Sequence, residues 1–130
     1  MNALANGLQD ILRACSLIRS IRVVSYDETP VGRWELKIRC RVVQGYQFQI
    51  WLHFEPAFQD YAYQLFVDHP VLRWDNAPHY PQVPSAPHHF HDERGNVSAS
   101  PLSGDILRDL QEVLFQIEVW LSRTAGSVVP

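Results

Sequence analysis

The sequence predicts an α+β fold: one antiparallel sheet of about five strands, with an N-terminal helix and a C-terminal amphipathic helix. Three observations carry this. Residues 33–54 hold two runs of polar–apolar alternation, the pattern of half-buried strands. Both ends of the chain place apolar residues at helical spacing. Three more β-rich runs, residues 21–26, 61–67 and 71–76, lie between turn signals. With 130 residues and 46% hydrophobic composition, the chain has enough apolar material for a single domain with one core.

Taken in order, Leu4, Leu8, Ile11, Leu12, Cys15 and Ile18 recur one helical turn apart and predict a helix over residues 3–19, imperfect around Gly7. Ile21–Tyr26 is a β-branched run that ends in the turn "DETPVG". In "RWELKIRCRV", Trp34, Leu36, Ile38, Cys40 and Val42 face one way and Arg33, Glu35, Lys37, Arg39 and Arg41 the other. Tyr46, Phe48, Ile50, Leu52 and Phe54 repeat the inward pattern.

The hairpin register follows from these faces. A two-residue Gln-Gly loop would set every inward residue opposite an outward one. A three-residue loop, Val43–Gly45, pairs Val42 with Tyr46, Cys40 with Phe48 and Ile38 with Ile50, with Gly45 in the left-handed position such loops need. Residues 21–76 then form an antiparallel meander, followed by a His/Pro-rich loop over residues 77–102. From Ile106 to Leu121 a broad apolar stripe predicts a helix over 103–122, with Ser103 or Asp105 as N-cap and "TAGSVVP" as a frayed tail.

Charge and cysteine content narrow the function classes. The net charge of −3 argues against a general nucleic-acid coater. Residues 1–76 carry eight basic and eight acidic side chains, so the excess falls on residues 77–130 and the first part can still present a basic face. Two cysteines, Cys15 and Cys40, both on apolar periodicities, imply free thiols and a cytoplasmic location. Asp10, Arg13, Arg19 and Arg22 interrupt any membrane span or secretory apolar core near the N-terminus.

On the outward face of the hairpin, Lys37, Arg39, Arg41 and Trp51 form a basic, partly aromatic surface that can hold phosphates and stack a base. The same pattern also describes an ordinary solvated strand face. The exposed edges of such a sheet leave room for a homodimer.

The segment "NAPHYPQVPSAPHHFHDE" holds four of six histidines and four prolines at a period of three. Arg73 and Asp75, two apart on a strand, share a face, as an ion pair with an Asp-Asn turn or as part of a polar site. A straight Pro78–Pro87 polyproline helix would span about 28 Å and keep His79 from His88; a bent loop would not. If the segment is extended, His89 and His91 point one way and His88 the other. Two imidazoles do not close a metal site, and no spaced second pair is present, so no metal or other cofactor is expected. Acid–base chemistry asks less: an imidazole near neutrality takes and gives a proton, and an arginine stabilises phosphorane-like charge. A polar loop whose histidines bond to backbone groups is the alternative.

The span "LRWDNAPHYPQVPSAPHHFHDE", followed by a polar connector and an amphipathic helix, resembles the TumE family of toxins from prokaryotic toxin–antitoxin loci. The family pattern runs Arg-aromatic-Asp-Asn-Ala-Pro-His-His-Pro, then Pro-His-His-Lys-His. Arg73, Asp75, Asn76, Pro78, His79, Pro81, Pro87, His88, His89 and His91 match it, with Trp74 as the aromatic. Tyr80 stands where a second His is usual and Phe90 where a Lys is usual. The match covers the motif and the layout of about the last sixty residues. The resemblance implies an intracellular toxin paired with a helix-turn-helix antitoxin and makes an RNA target plausible.

Combined with the residue chemistry, it gives an expected metal-independent endoribonuclease. His88 or His91 would serve as base or acid, with His79 as partner if the loop bends, and His89 in the same cluster. Arg73 would stabilise charge and Asp75 orient a histidine. The alternative is a non-catalytic protein-interaction domain.

Overall fold

The computed structural model describes residues 1–127, with side chains through Thr124. Helix α1 (Ala3–Ala14) leads into strands β1 (Ile18–Glu28), β2 (Trp34–Val42), β3 (Gln47–Phe54), β4 (Gln59–Phe66), β5 (Pro70–Asp75), β6 (His89–His91) and β7 (Val97–Ala99), and helix α2 (Ile106–Ser127) closes the chain. The strands form one antiparallel meander in sequence order.

Alternation in β2–β5 sends Leu36, Ile38, Phe48, Ile50, Tyr63 and Trp74 to one face, where they are fully buried. Leu8 and Leu12 of α1 and Leu110, Val113 and Ile117 of α2 join them in a single core. Both helices therefore cover this inner face. Gly7 sits where α1 meets α2: an added Cβ would lie 3.1 Å from Leu107 Cδ2, so the glycine permits the close approach. The β2–β3 register is the expected one, with Cys40 opposite Phe48 and Ile38 opposite Ile50. Val43–Gly45 forms the loop, with Val42 N–H donating to Tyr46 O at 2.8 Å. Gly45 (φ +83°) takes the left-handed conformation, and so does Gln44 (φ +64°).

Three expectations are corrected. The sheet has seven strands rather than five: His89–His91 and Val97–Ala99 add to its edge. Each is three residues long, too short to show a period, but Phe90 packs on Trp74 (ring centroids 5.0 Å apart) and anchors β6 to the core. The first helix ends at Ala14, not residue 19. Ile18 fits the helical spacing, yet it pairs with Val42, because a long neighbouring strand outweighs local periodicity. The second helix runs past residue 122 to Ser127, so the predicted tail is helical as far as it is described, and its residues 128–130 lie outside the described residues. At the start of α2, Asp105 O accepts the first helical bond from Asp109 N–H, while the Asp109 carboxylate accepts from the Ser103 and Gly104 amides.

Candidate functional site

Strands β5 and β6 assemble the site by alternation and register. Trp74 points into the core, so Arg73 and Asp75 point to the open outer face. The register sets Arg73 opposite His91 and Asp75 opposite His89, bringing four polar side chains into one square. Asp75 is its hub and is buried. Its Oδ2 accepts from Arg73 Nε at 2.8 Å, and its Oδ1 lies 3.0 Å from His89 Nε2 and accepts from the Ala77 N–H at 3.0 Å. Gln64 on β4 accepts from Arg73 Nη1 at 2.9 Å and fixes the guanidinium from the other side.

His89 is 1% exposed, and its second nitrogen, Nδ1, lies 3.0 Å from Pro87 O. Each ring nitrogen thus faces an oxygen, Nδ1 the Pro87 carbonyl and Nε2 the Asp75 carboxylate. His91 Nε2 is 3.6 Å from Asp75 Oδ2, close enough to feel the charge and long for a hydrogen bond. Burial lowers the His91 pKa from its ordinary 6.5; Asp75 opposes this, and the His89 and Arg73 charges add to it. The imidazole is thus held towards its neutral, proton-accepting form.

The proline segment is not straight. Successive turns, with Val83 N–H donating to Tyr80 O, Ala86 to Val83 O and His88 to Ser85 O, fold it back on itself. What it returns to the cluster is Tyr80, whose ring centroid lies 4.7 Å from that of His89 and 5.6 Å from that of His91. His79 is exposed. His88 leaves by the other face: its Nδ1 lies 2.6 Å from Tyr61 OH, and the two rings stack. Of the six residues expected to carry chemistry, Arg73, Asp75, His89 and His91 meet, while His79 and His88 stand apart. Asn76 completes the strand end, its Oδ1 accepting from Tyr61 N–H and its Nδ2 donating to Gln59 O. Lys37, Arg39, Arg41 and Trp51 lie on the same outer face as the cluster. A cavity of about 460 Å³ lies instead on the helix side, lined in part by Trp74, Phe90, Phe115 and Trp120.

A family model described as "Toxin TumE" matches residues 8–121, nearly the whole of the helices and sheet. The chain belongs to the TumE toxin family. No curated protein and no solved structure matches it. The TumE match extends well beyond the histidine motif into the first helix and the hairpin. Both departures from the motif now have a place. Tyr80 covers the histidine pair, and Phe90 turns inward onto Trp74, on the face away from the cluster. In this TumE chain, Asp75, His89 and His91 each offer a ligand atom, and these atoms lie within 4.8 Å of one another. Both carboxylate oxygens also accept hydrogen bonds, and the Arg73 guanidinium sits against one of them. No helix among the described residues is long and apolar enough to cross a membrane.

Proposed function

We propose that this TumE protein acts as an endoribonuclease toxin through the Arg73–Asp75–His89–His91 cluster. The observation that carries the reading is the pairing of a half-buried imidazole, held towards its neutral form, with a fixed arginine on an open face. His91 is the base. With Nε2 turned towards Asp75, its Nδ1 takes the proton from a ribose 2′-hydroxyl. O2′ bonds to phosphorus, the P–O5′ bond breaks, and O5′ takes a proton from solvent, leaving a 2′,3′-cyclic phosphate and a 5′-hydroxyl. Arg73 stabilises the charge that builds on the phosphoryl oxygens. Asp75 and His89 are positioning residues, since both are buried and joined to each other.

A family of toxins implies a neutralising antitoxin, here proposed as a helix-turn-helix protein encoded nearby, with both acting in the cytoplasm. His91→Ala should abolish growth inhibition and RNA cleavage while leaving the circular dichroism spectrum unchanged. Undiminished toxicity of that variant would sink the assignment. Toxicity with RNA left intact would favour the non-catalytic interaction domain.

A further inference from the structure

The strand registers can be read across the whole outer face. One row runs Arg22, Arg39, Gln49, Gln64, Arg73, His91 from β1 to β6. At about 4.8 Å per strand, it spans about 24 Å and ends at the base assigned above. The row is preorganised: Gln49 Oε1 accepts from Arg39 Nε and Nη2 at 3.2 and 2.6 Å, and Gln64 Oε1 accepts from Arg73 Nη1 at 2.9 Å. Each glutamine spends its oxygen on an arginine, which leaves its amide N–H groups for an acceptor such as a phosphate oxygen.

The next row holds Lys37, Trp51, Ala62, Asp75 and His89. Trp51 stands two strands, about 10 Å, from Asp75. Its indole N–H donates to Glu35 Oε1 at 2.9 Å, which steadies the ring, and its β4 neighbour is the small Ala62, which does not overhang it. Beyond lies a row of Asp27, Glu35, His53 and Asp60, acidic at three of its four positions. The face therefore changes from cationic to anionic within two rows. A polyanion fits only one side of it, and a duplex, with phosphates on both flanks, meets the carboxylates.

We propose that this face binds RNA as a single strand laid across the β-strands, its phosphates on the Arg22–Arg39–Arg73 row and one base stacked on Trp51. The proposal rests on the ribonuclease reading for the choice of RNA, but it can fail separately. Binding is measured by fluorescence anisotropy on the cleavage-deficient His91→Ala protein. The probes are a short labelled single-stranded RNA, the same sequence as DNA, and the RNA duplex.

Single-stranded RNA should bind at least as tightly as the DNA and more tightly than the duplex. Arg22→Ala and Arg39→Ala should each reduce the salt dependence of binding by about 0.7 in log–log slope. Trp51→Ala should weaken binding roughly five- to hundredfold with the salt slope unchanged. Arg13→Ala, at an exposed side chain of α1 away from this face, should change nothing. Duplex binding as tight as single-strand binding, a preference for DNA, or no effect of Arg22, Arg39 and Trp51 overturns the proposal. If the wild type cleaves RNA but those three variants leave KM unchanged, this inference falls and the ribonuclease reading stands. If RNA binds as expected but no RNA is cleaved, the reverse holds.

Discussion

Asp75→Asn isolates what the buried carboxylate contributes, because the side chain keeps its volume and loses only its charge and one acceptor. Asp75 makes three close polar contacts, to Arg73 Nε, His89 Nε2 and the Ala77 amide, at 2.8, 3.0 and 3.0 Å. A hydrogen bond to a charged group is worth about 1.5–3 kcal/mol and a neutral one about 0.5–1.5, so neutralisation costs roughly 1 kcal/mol per contact. The contact to Arg73 is discounted, since that side chain is 41% exposed and water can replace the carboxylate. The contact to His89 is not, since the ring is enclosed. The sum is about 2–3 kcal/mol. For a chain of this size it corresponds to a fall in Tm of roughly 10 °C. Thermal melts of wild type and Asp75→Asn at pH 7, with urea titrations to check the free energy, measure it. A Tm within about 2 °C of wild type would refute the reasoning that the carboxylate holds β5, β6 and the following turn together.

Three more outcomes are expected. Burial is the largest cause of the lowered His91 pKa, so the neutral imidazole persists below pH 6.5 and the cleavage rate should fall only under that value. Tyr80→Ala uncovers the ring and should move this acid limb upward, as followed by rate profiles or the imidazole proton resonance; an unmoved or lowered limb contradicts the assignment. Burial pushes the Cys40 thiol up to about 12, so a thiol reagent at pH 8 should modify only Cys15 in the folded protein and both cysteines after unfolding. Gly104 has φ +92°, and an added Cβ would run into the Gln59 amide that donates to Gly104 O. Gly104→Ala should therefore destabilise by about 1–3 kcal/mol, measured in urea; a neutral result would show that the turn rearranges freely.

How legible all this was depended on whether the controlling forces were local. The β2–β3 hairpin could be registered from sequence because its two apolar faces must coincide, which leaves one loop length. Alternation alone put Arg73 with Asp75, and His89 with His91 away from His88. What could not be read were contacts set by the path of a loop. Nothing local says that the turns after Pro78 carry Tyr80 back over the histidines and leave His79 in solvent. The periodic prolines suggested a rigid spacer, but the chain between them folds by three backbone turns. Strand β6 was hidden because three residues cannot show a period, and Ile18 because its strand partner lies 24 residues away. Arg22, Gln49 and Gln64 carry no site signal as single residues. Only the register across six strands puts them in line with Arg73.

The cluster divides by burial into two pairs with different duties. Asp75 and His89 are nearly sealed from solvent, and each has its polar atoms committed to protein partners. Arg73 and His91 are the members that solvent, and therefore substrate, can reach, with side chains 41% and 27% exposed. A substitution in the buried pair removes structure and chemistry together, so lost toxicity there says little about mechanism. Substitution of His91 leaves the Asp75–His89 and Asp75–Arg73 contacts in place. Arg73→Lys keeps the charge but loses the fork that holds Gln64 and Asp75 at once. A chemical role therefore shows itself as loss of cleavage at His91 with Tm preserved. A purely structural cluster would show the opposite order, with Asp75 and His89 dominant and His91 nearly silent.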